Sequence, residues 1–176
     1  PLEIMIDTKR KNGAMKLSNL RKMEELEHTI TDIPELSKPL SIVNIAKSFN
    51  QAYYNGNPEF YTLPSSQEEI FLLPYIKNSL KNTKDNQLKS YITSDGKIAR
   101  MTTFIKDENG ERMDAIEAHI RNKVNKLFPS PKYEVIITGK ASVFQKGTKY
   151  LLDNLLSSLL FAFALTGGLV ALMFRS

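Results

Sequence analysis

The order of periodic segments predicts an α+β fold: a ferredoxin-like βαββαβ sandwich with inserted helices, followed by one C-terminal transmembrane helix. Three observations predict it. Leu155–Phe174 reads LLSSLLFAFALTGGLVALMF, without one charged residue. Alternating apolar and polar residues open and close the preceding region, at Leu2–Asp7 and Tyr133–Thr138, as in half-buried strands. Between them lie three apolar patterns of helical period and a hairpin signal. Strand, helix, helical insertion, hairpin, helix, strand is the order of that sandwich. Its helices cover one sheet face, leaving the other free to meet a neighbouring domain.

The elements follow in order. After the first strand, Lys11-Asn12-Gly13 turns the chain. Leu17, Leu20, Met23, Leu26, Ile30 and Ile33 recur every three or four residues, an amphipathic helix that Pro34 closes. A second helix opens after Pro39, with Ser41 as cap and Ile42, Ile45, Ala46, Phe49, Ala52 and Tyr53 as its apolar face. Asn55-Gly56-Asn57-Pro58 breaks it. Ser65 with Glu68, or Ser66 with Glu69, has capping-box spacing before Ile70-Phe71-Leu72-Leu73, and Pro74 predicts a kink or split there. Leu88–Thr93 and Lys97–Lys106 then flank Ser94-Asp95-Gly96, a hairpin on the favoured Asp-Gly two-residue turn. Met113, Ile116, Ile120, Val124 and Leu127 mark a further helix, ending before Pro129 and Pro131. The strand to Thr138 ends at Gly139, and a helical lead starts near Ala141. The expected division is 1–140 for the α+β domain, 141–154 for the lead-in and 155–174 for the span.

About 20 apolar residues in a helix reach across the hydrocarbon core of a bilayer. Ser157, Ser158 and Thr166 are compatible with this, since such hydroxyls bond back to the helix backbone. Gly167 and Gly168, costly in a soluble helix, are common in spans. A buried core helix is the plain alternative, but it would carry a polar stripe, and this run has none. The chain begins at Pro1 and stops soon after the span, so it is expected to be a piece of a longer one.

Composition narrows the function classes. The net charge is +5, yet Lys and Arg are interspersed with acids, as in Lys22-Met23-Glu24-Glu25 and Lys106-Asp107-Glu108. A nucleic-acid surface would want a basic stripe with interleaved aromatics, so no nucleic-acid partner is expected. The absence of Cys removes disulfides, thiolate zinc sites and thiol nucleophiles. The two histidines, His28 and His119, fall in predicted helices. Glu24 and Asp32 flank His28 at helical spacing, but a surface helix supplies such carboxylates by chance, so no metal is expected. No Gly-x-Ser-x-Gly elbow or phosphate-cradling glycine run occurs. Asp153 lies where the span would meet the interface, at little cost. The expectation is no enzyme, with catalytic, cofactor-binding and metal residues none, cofactors none and substrate-binding residues unknown. Phe49, Tyr53, Tyr54, Phe60, Tyr61 and Phe71 offer a lipid-accepting surface, or else packing between the inserted helices. Gly167-Gly168 offers close approach to another membrane helix, or is incidental.

The chain resembles the first extracytoplasmic loop and following membrane helix of an RND-superfamily exporter of the MMPL-like type. The resemblance rests on the strand Leu2–Asp7, Pro39–Ile45, Tyr53-Tyr54-Asn55-Gly56-Asn57, Ala99-Arg100-Met101, and Ile137-Thr138-Gly139-Lys140-Ala141-Ser142-Val143-Phe144 leading into the span. It implies a porter domain that handles a hydrophobic, lipidic or amphiphilic substrate outside a bacterial inner membrane, facing the periplasm or exterior. Implied partners are membrane lipid, the remaining transmembrane helices and a second porter domain of the full-length protein. The proton-relay acids of such a transporter lie on helices outside this chain. Lys140, Lys146 and Lys149 precede the span and only Arg175 follows it. Taken alone, that asymmetry places the domain in the cytoplasm, as a tail-anchored partner-binding protein would have it.

Overall fold

The computed structural model describes residues 1–68, 74, 78, 89–106, 110–138 and 140–175. They fall into two compact units, residues 1–139 and 140–176. The first is an α+β unit built on a three-stranded antiparallel sheet.

Strand β1 (Leu2–Asp7) is the centre of that sheet, between β2 (Ile98–Thr103) and β3 (Glu134–Thr138). Register pairs Ile4 with Met101 on one side and with Ile137 on the other. Side chains alternate across a strand, so Leu2, Ile4, Ile6, Ala99, Met101 and Ile137 share one face, and all are buried. Glu3, Met5, Asp7, Arg100, Thr102, Glu134 and Ile136 share the other.

Helix α1 (Leu17–Thr31) and helix α3 (Gly110–Leu127) contribute to the same core cluster as the buried sheet face. The predicted stripe of α1 is buried from Leu17 to Ile33, and α3 contributes Ile116, Ile120 and Val124. Helix α2 (Ile42–Tyr53) starts where Ser41 caps it: the Ser41 hydroxyl accepts from Val43 N–H, and Asn44 answers by accepting from Ser41 N–H. Its buried face runs through Ile42, Val43, Ala46 and Asn50, while Tyr53 is 65% exposed. The predicted face is thus rotated, because Asn50 rather than Ala52 and Tyr53 turns inward. Ser65 and Glu68 form the expected reciprocal pair, with Ser65 N–H donating to Glu68 and Glu68 N–H to the Ser65 hydroxyl. The helix expected at Ile70–Leu73, the alternative Glu69 cap, Leu88 and the Gly139 terminator lie outside the described residues.

The hairpin differs from expectation. Its first arm contributes one bridge, Ile92 to Ala99, rather than a strand. The loop holds four residues, 94–97, because Thr93 N–H still pairs with the Ile98 carbonyl and Gly96 N–H folds back to Thr93. Two competitors explain this. Asp95 draws local bonds from Thr93 Oγ1 and Lys97 N–H, as turn-forming carboxylates do. The rest of β2's outer edge is taken by the segment after α1: Leu40 and Thr102 exchange backbone bonds of 2.8 and 2.9 Å, and Leu36 bridges Ile105. Pro39 and Lys38 gave that segment no strand pattern to read.

The second unit is one helix, α4 (Lys140–Arg175). Its apolar stretch runs from Tyr150 to Phe174, starting before the predicted Leu155. Among the described residues it is the one helix long and apolar enough to cross a membrane, with a mean hydropathy of 2.1. The hydroxyls of Ser157, Ser158 and Thr166 donate to carbonyls three or four residues earlier, at 2.8–2.9 Å, which hides their polarity from an apolar solvent.

Candidate functional site

Three places on the described surface carry chemistry beyond packing. The first is a buried acidic junction between α1 and α2. Glu27 is only 7% exposed. It sits four residues after Met23 and seven after Leu20, on the apolar stripe of α1. Its Oε1 accepts from the Ser41 hydroxyl at 2.5 Å, the same hydroxyl that caps α2. One turn earlier, Glu24 pairs with Lys47 of α2 at 2.7 Å. Burial pushes the Glu27 carboxyl up from 4.5 to about 7, against the opposing pull of Ser41 and Lys47 and with a small push from Glu24. The junction clamps two helices through one proton-sensitive carboxyl.

The second place is a pair of open clefts. One, of about 520 Å³, lies among Arg21, Glu24, Asn50, Phe60, Thr62 and their neighbours up to Glu68. Asn50 donates to the Phe60 and Thr62 carbonyls at 3.2 and 3.1 Å, which fixes the loop after α2. Its own Oδ1 is buried without a partner among the described residues, a local cost. The other cleft, of about 340 Å³, brings Asp32 and His119 together with Arg112. His28 is exposed elsewhere on α1, so the two histidines do not converge. No group of three or more His, Asp or Glu side chains is placed to hold a metal among the described residues.

The third place is the free face of the sheet. Its charges are matched in pairs: Arg100 with Glu3 at 3.9 Å, Lys97 with Asp7 at 3.0 Å and Lys9 with Glu134 at 4.0 Å. Between them Ile136 is 48% exposed. No helix of the first unit covers this face among the described residues. Such a surface suits a neighbour better than it suits chemistry.

The aromatic candidates divide. Phe49 packs against the core. Tyr54 stacks on Phe60 with centroids 3.8 Å apart, and its hydroxyl donates to Glu68. Tyr53 meets the edge of Tyr54 at 5.2 Å yet stays open to solvent, as does Tyr61. Phe71 lies outside the described residues. Tyr54 and Phe60 are therefore packing around the cleft rather than an open lipid-accepting shelf. Gly167 and Gly168 have open space where a side chain would stand, and Asp153 is exposed on α4. Neither family models, curated proteins nor solved structures give a match to this chain.

Proposed function

We propose that this chain is a membrane-anchored substrate-handling domain of an RND-type exporter, with the α+β unit on the periplasmic or exterior side of a bacterial inner membrane. The observation that carries the reading is the order in which the chain visits its sheet. Its final strand lies beside the first and runs, two residues later, into a helix of membrane-spanning length and composition. The strand order β2-β1-β3, with the Ile92–Ala99 bridge outside β2, supports a ferredoxin-like sandwich whose second strand is reduced to a bridge. A helix exposed along its described length favours lodging among lipid and other helices. The cargo that this reading implies is hydrophobic, lipidic or amphiphilic, handled without a cofactor, a metal or covalent chemistry. Movement against a second, repeat-related domain supplies alternating access.

A second reading, a cytoplasmic partner-binding domain on a tail anchor, is favoured by one observation, the lysine-rich approach to the span. One experiment separates the two. Serum raised against residues 1–139 is used to blot native membranes and to test whether protease added outside the cytoplasm reaches the domain. A polypeptide several times larger than 20.0 kDa that is cleaved from outside supports the exporter. A band near 20.0 kDa that is protected from outside overturns it in favour of the tail anchor.

A further inference from the structure

The exposed large apolar side chains of the first unit, among the described residues, are Leu40, Tyr53, Tyr61, Phe104 and Ile136. Three of them belong to the free sheet face. Leu40 is directly opposite Thr102 in its bridge, so it shares that residue's face. Phe104 lies two residues beyond Thr102 and so returns to the same side. Leu40 is 47% and Phe104 56% exposed. The two sit at one end of the sheet, where β2 finishes and β1 starts, since Thr103 is opposite Leu2. The opposite end is polar, with Asp7, Lys97, Lys9 and Glu134 paired across it.

Two further features mark the apolar end. Lys38 and Lys106, each two residues from one of these apolar side chains, are exposed. Among the described residues, the acids nearby are engaged: Glu3 by Arg100 at 3.9 Å and Glu35 by Arg112 at 2.6 Å. Strand β3 also finishes at this end, because Thr138 is opposite Glu3. Thr138 and Thr102 are both opposite Glu3 and thus stand about 10 Å apart, two strand spacings, with Phe104 two residues further along. From Thr138 the chain enters α4, whose apolar stretch starts at Tyr150. The ten residues from Lys140 amount to about 15 Å of helix.

We propose that this end of the free face, centred on Leu40 and Phe104 and flanked by Lys38 and Lys106, docks on an anionic lipid surface. Apolar side chains flanked by exposed lysines, Lys106 donating at 3.1 Å only to the neutral Pro34 carbonyl, match the boundary between acyl chains and anionic headgroups. A protein partner covering this face would ask instead for matched charges across it. Such pairs dominate the mixed-charge end, whereas exposed lysines flank the apolar end. The short tether from β3 makes the encounter intramolecular, so a modest patch suffices. The docking rests on the anchoring proposed above.

The chain has no native Cys, so single-cysteine labels are unambiguous. The full chain is placed in bilayers of phosphatidylcholine with and without phosphatidylglycerol. A polarity-sensitive fluorophore is attached in turn at Leu40→Cys, Phe104→Cys, Tyr61→Cys and, within the span, Phe163→Cys. The expected result is a blue shift and quenching by brominated lipid at 163, 104 and 40, with 61 remaining water-like. Adding phosphatidylglycerol should raise the docked fraction. Lys38→Gln and Lys106→Gln should each lower the docked-to-undocked ratio about fivefold. A span label that is quenched while 40 and 104 behave as 61 does overturns the docking and leaves the anchoring intact. A blue shift at 40 and 104 without lipid quenching overturns it in favour of a protein covering. A water-like label at 163 removes the anchoring, and the docking with it.

Discussion

Replacing Glu27 by Gln should stabilise the α+β unit at neutral pH and abolish most of its pH dependence in the weakly acidic range. The folded carboxyl titrates near 7 instead of 4.5, with burial the leading cause. Its folded pKa is raised, so between those values the folded chain holds a proton that the unfolded chain releases. The stabilising share of this group is therefore complete below 4.5, declines as pH rises, and is gone above about 7. A displacement from 4.5 to about 7 corresponds to roughly 3 kcal/mol across that window. Glutamine keeps an acceptor for the Ser41 hydroxyl and removes the charge, but adds an NH₂ that costs about 1 kcal/mol if unpaired. Glu27→Gln should then gain about 2 kcal/mol near pH 8 and lose about 1 kcal/mol near pH 4. Urea denaturation of the full chain in neutral detergent, followed by circular dichroism, reads the difference. Wild-type stability that stays flat or climbs between about pH 4.5 and 7 would refute the argument, as would a Gln variant weaker than wild type at about pH 8.

Three further outcomes follow from the same packing. Ser41→Ala removes the α2 cap and the donor to Glu27 together, costing about 1–2 kcal/mol. In the Glu27→Gln background the cost should shrink, which a double-mutant cycle would show. Gly96→Ala forces a side chain onto a φ of +67°, with its Cβ 2.9 Å from Asn12 Cα. It should lower the denaturation midpoint by an amount equivalent to about 1–3 kcal/mol. Asn19 bonds the Gly13 carbonyl and the Tyr133 hydroxyl, both at 2.7 Å. Asn19→Leu should cost about 2–3 kcal/mol by leaving the Gly13 carbonyl and the Tyr133 O–H without these partners, the hydroxyl oxygen still accepting from Lys22, and Tyr133→Phe in that background should recover part of it in calorimetry.

The helices and the first and last strands of the chain were legible because each buries a face of regular period. Leu17 through Ile33, Ile116 through Val124, and Leu2 through Ile6 all carry that period openly, and α4 carries its destination in composition alone. The polar residues on those faces were harder to see. Glu27, Asn19 and Asn50 occupy stripe positions, Glu27 four residues after Met23 and Asn50 four after Ala46, but pattern reading takes a polar residue as solvent-facing by type. Spacing held the signal, and a charged residue inside an apolar stripe is the form it takes. The hairpin was half legible: Asp95-Gly96 marked the turn, while the competition for β2's edge did not show. Leu36 and Leu40 reach that edge from more than sixty residues away in sequence, and pairing so remote leaves no local period. The exposed Leu40–Phe104 end has the same origin, since only the pairing places the two together.

The two borders of the sheet are unlike, and this bears on how the domain behaves when crowded. Along β2 the outward backbone groups are occupied by Tyr91, Thr93, Leu40 and Ser37 with its neighbours. Along β3 the outward-facing backbone groups at Val135 and Ile137 have no partner among the described residues. A sheet that is open on both sides can recruit copies without end, as a fibre does. One that is open on a single side can recruit only once: two copies meeting through β3 consume both templates and present closed borders to everything else. Were copies to meet edge to edge through β3, the association would therefore end at a pair instead of running on as a ladder.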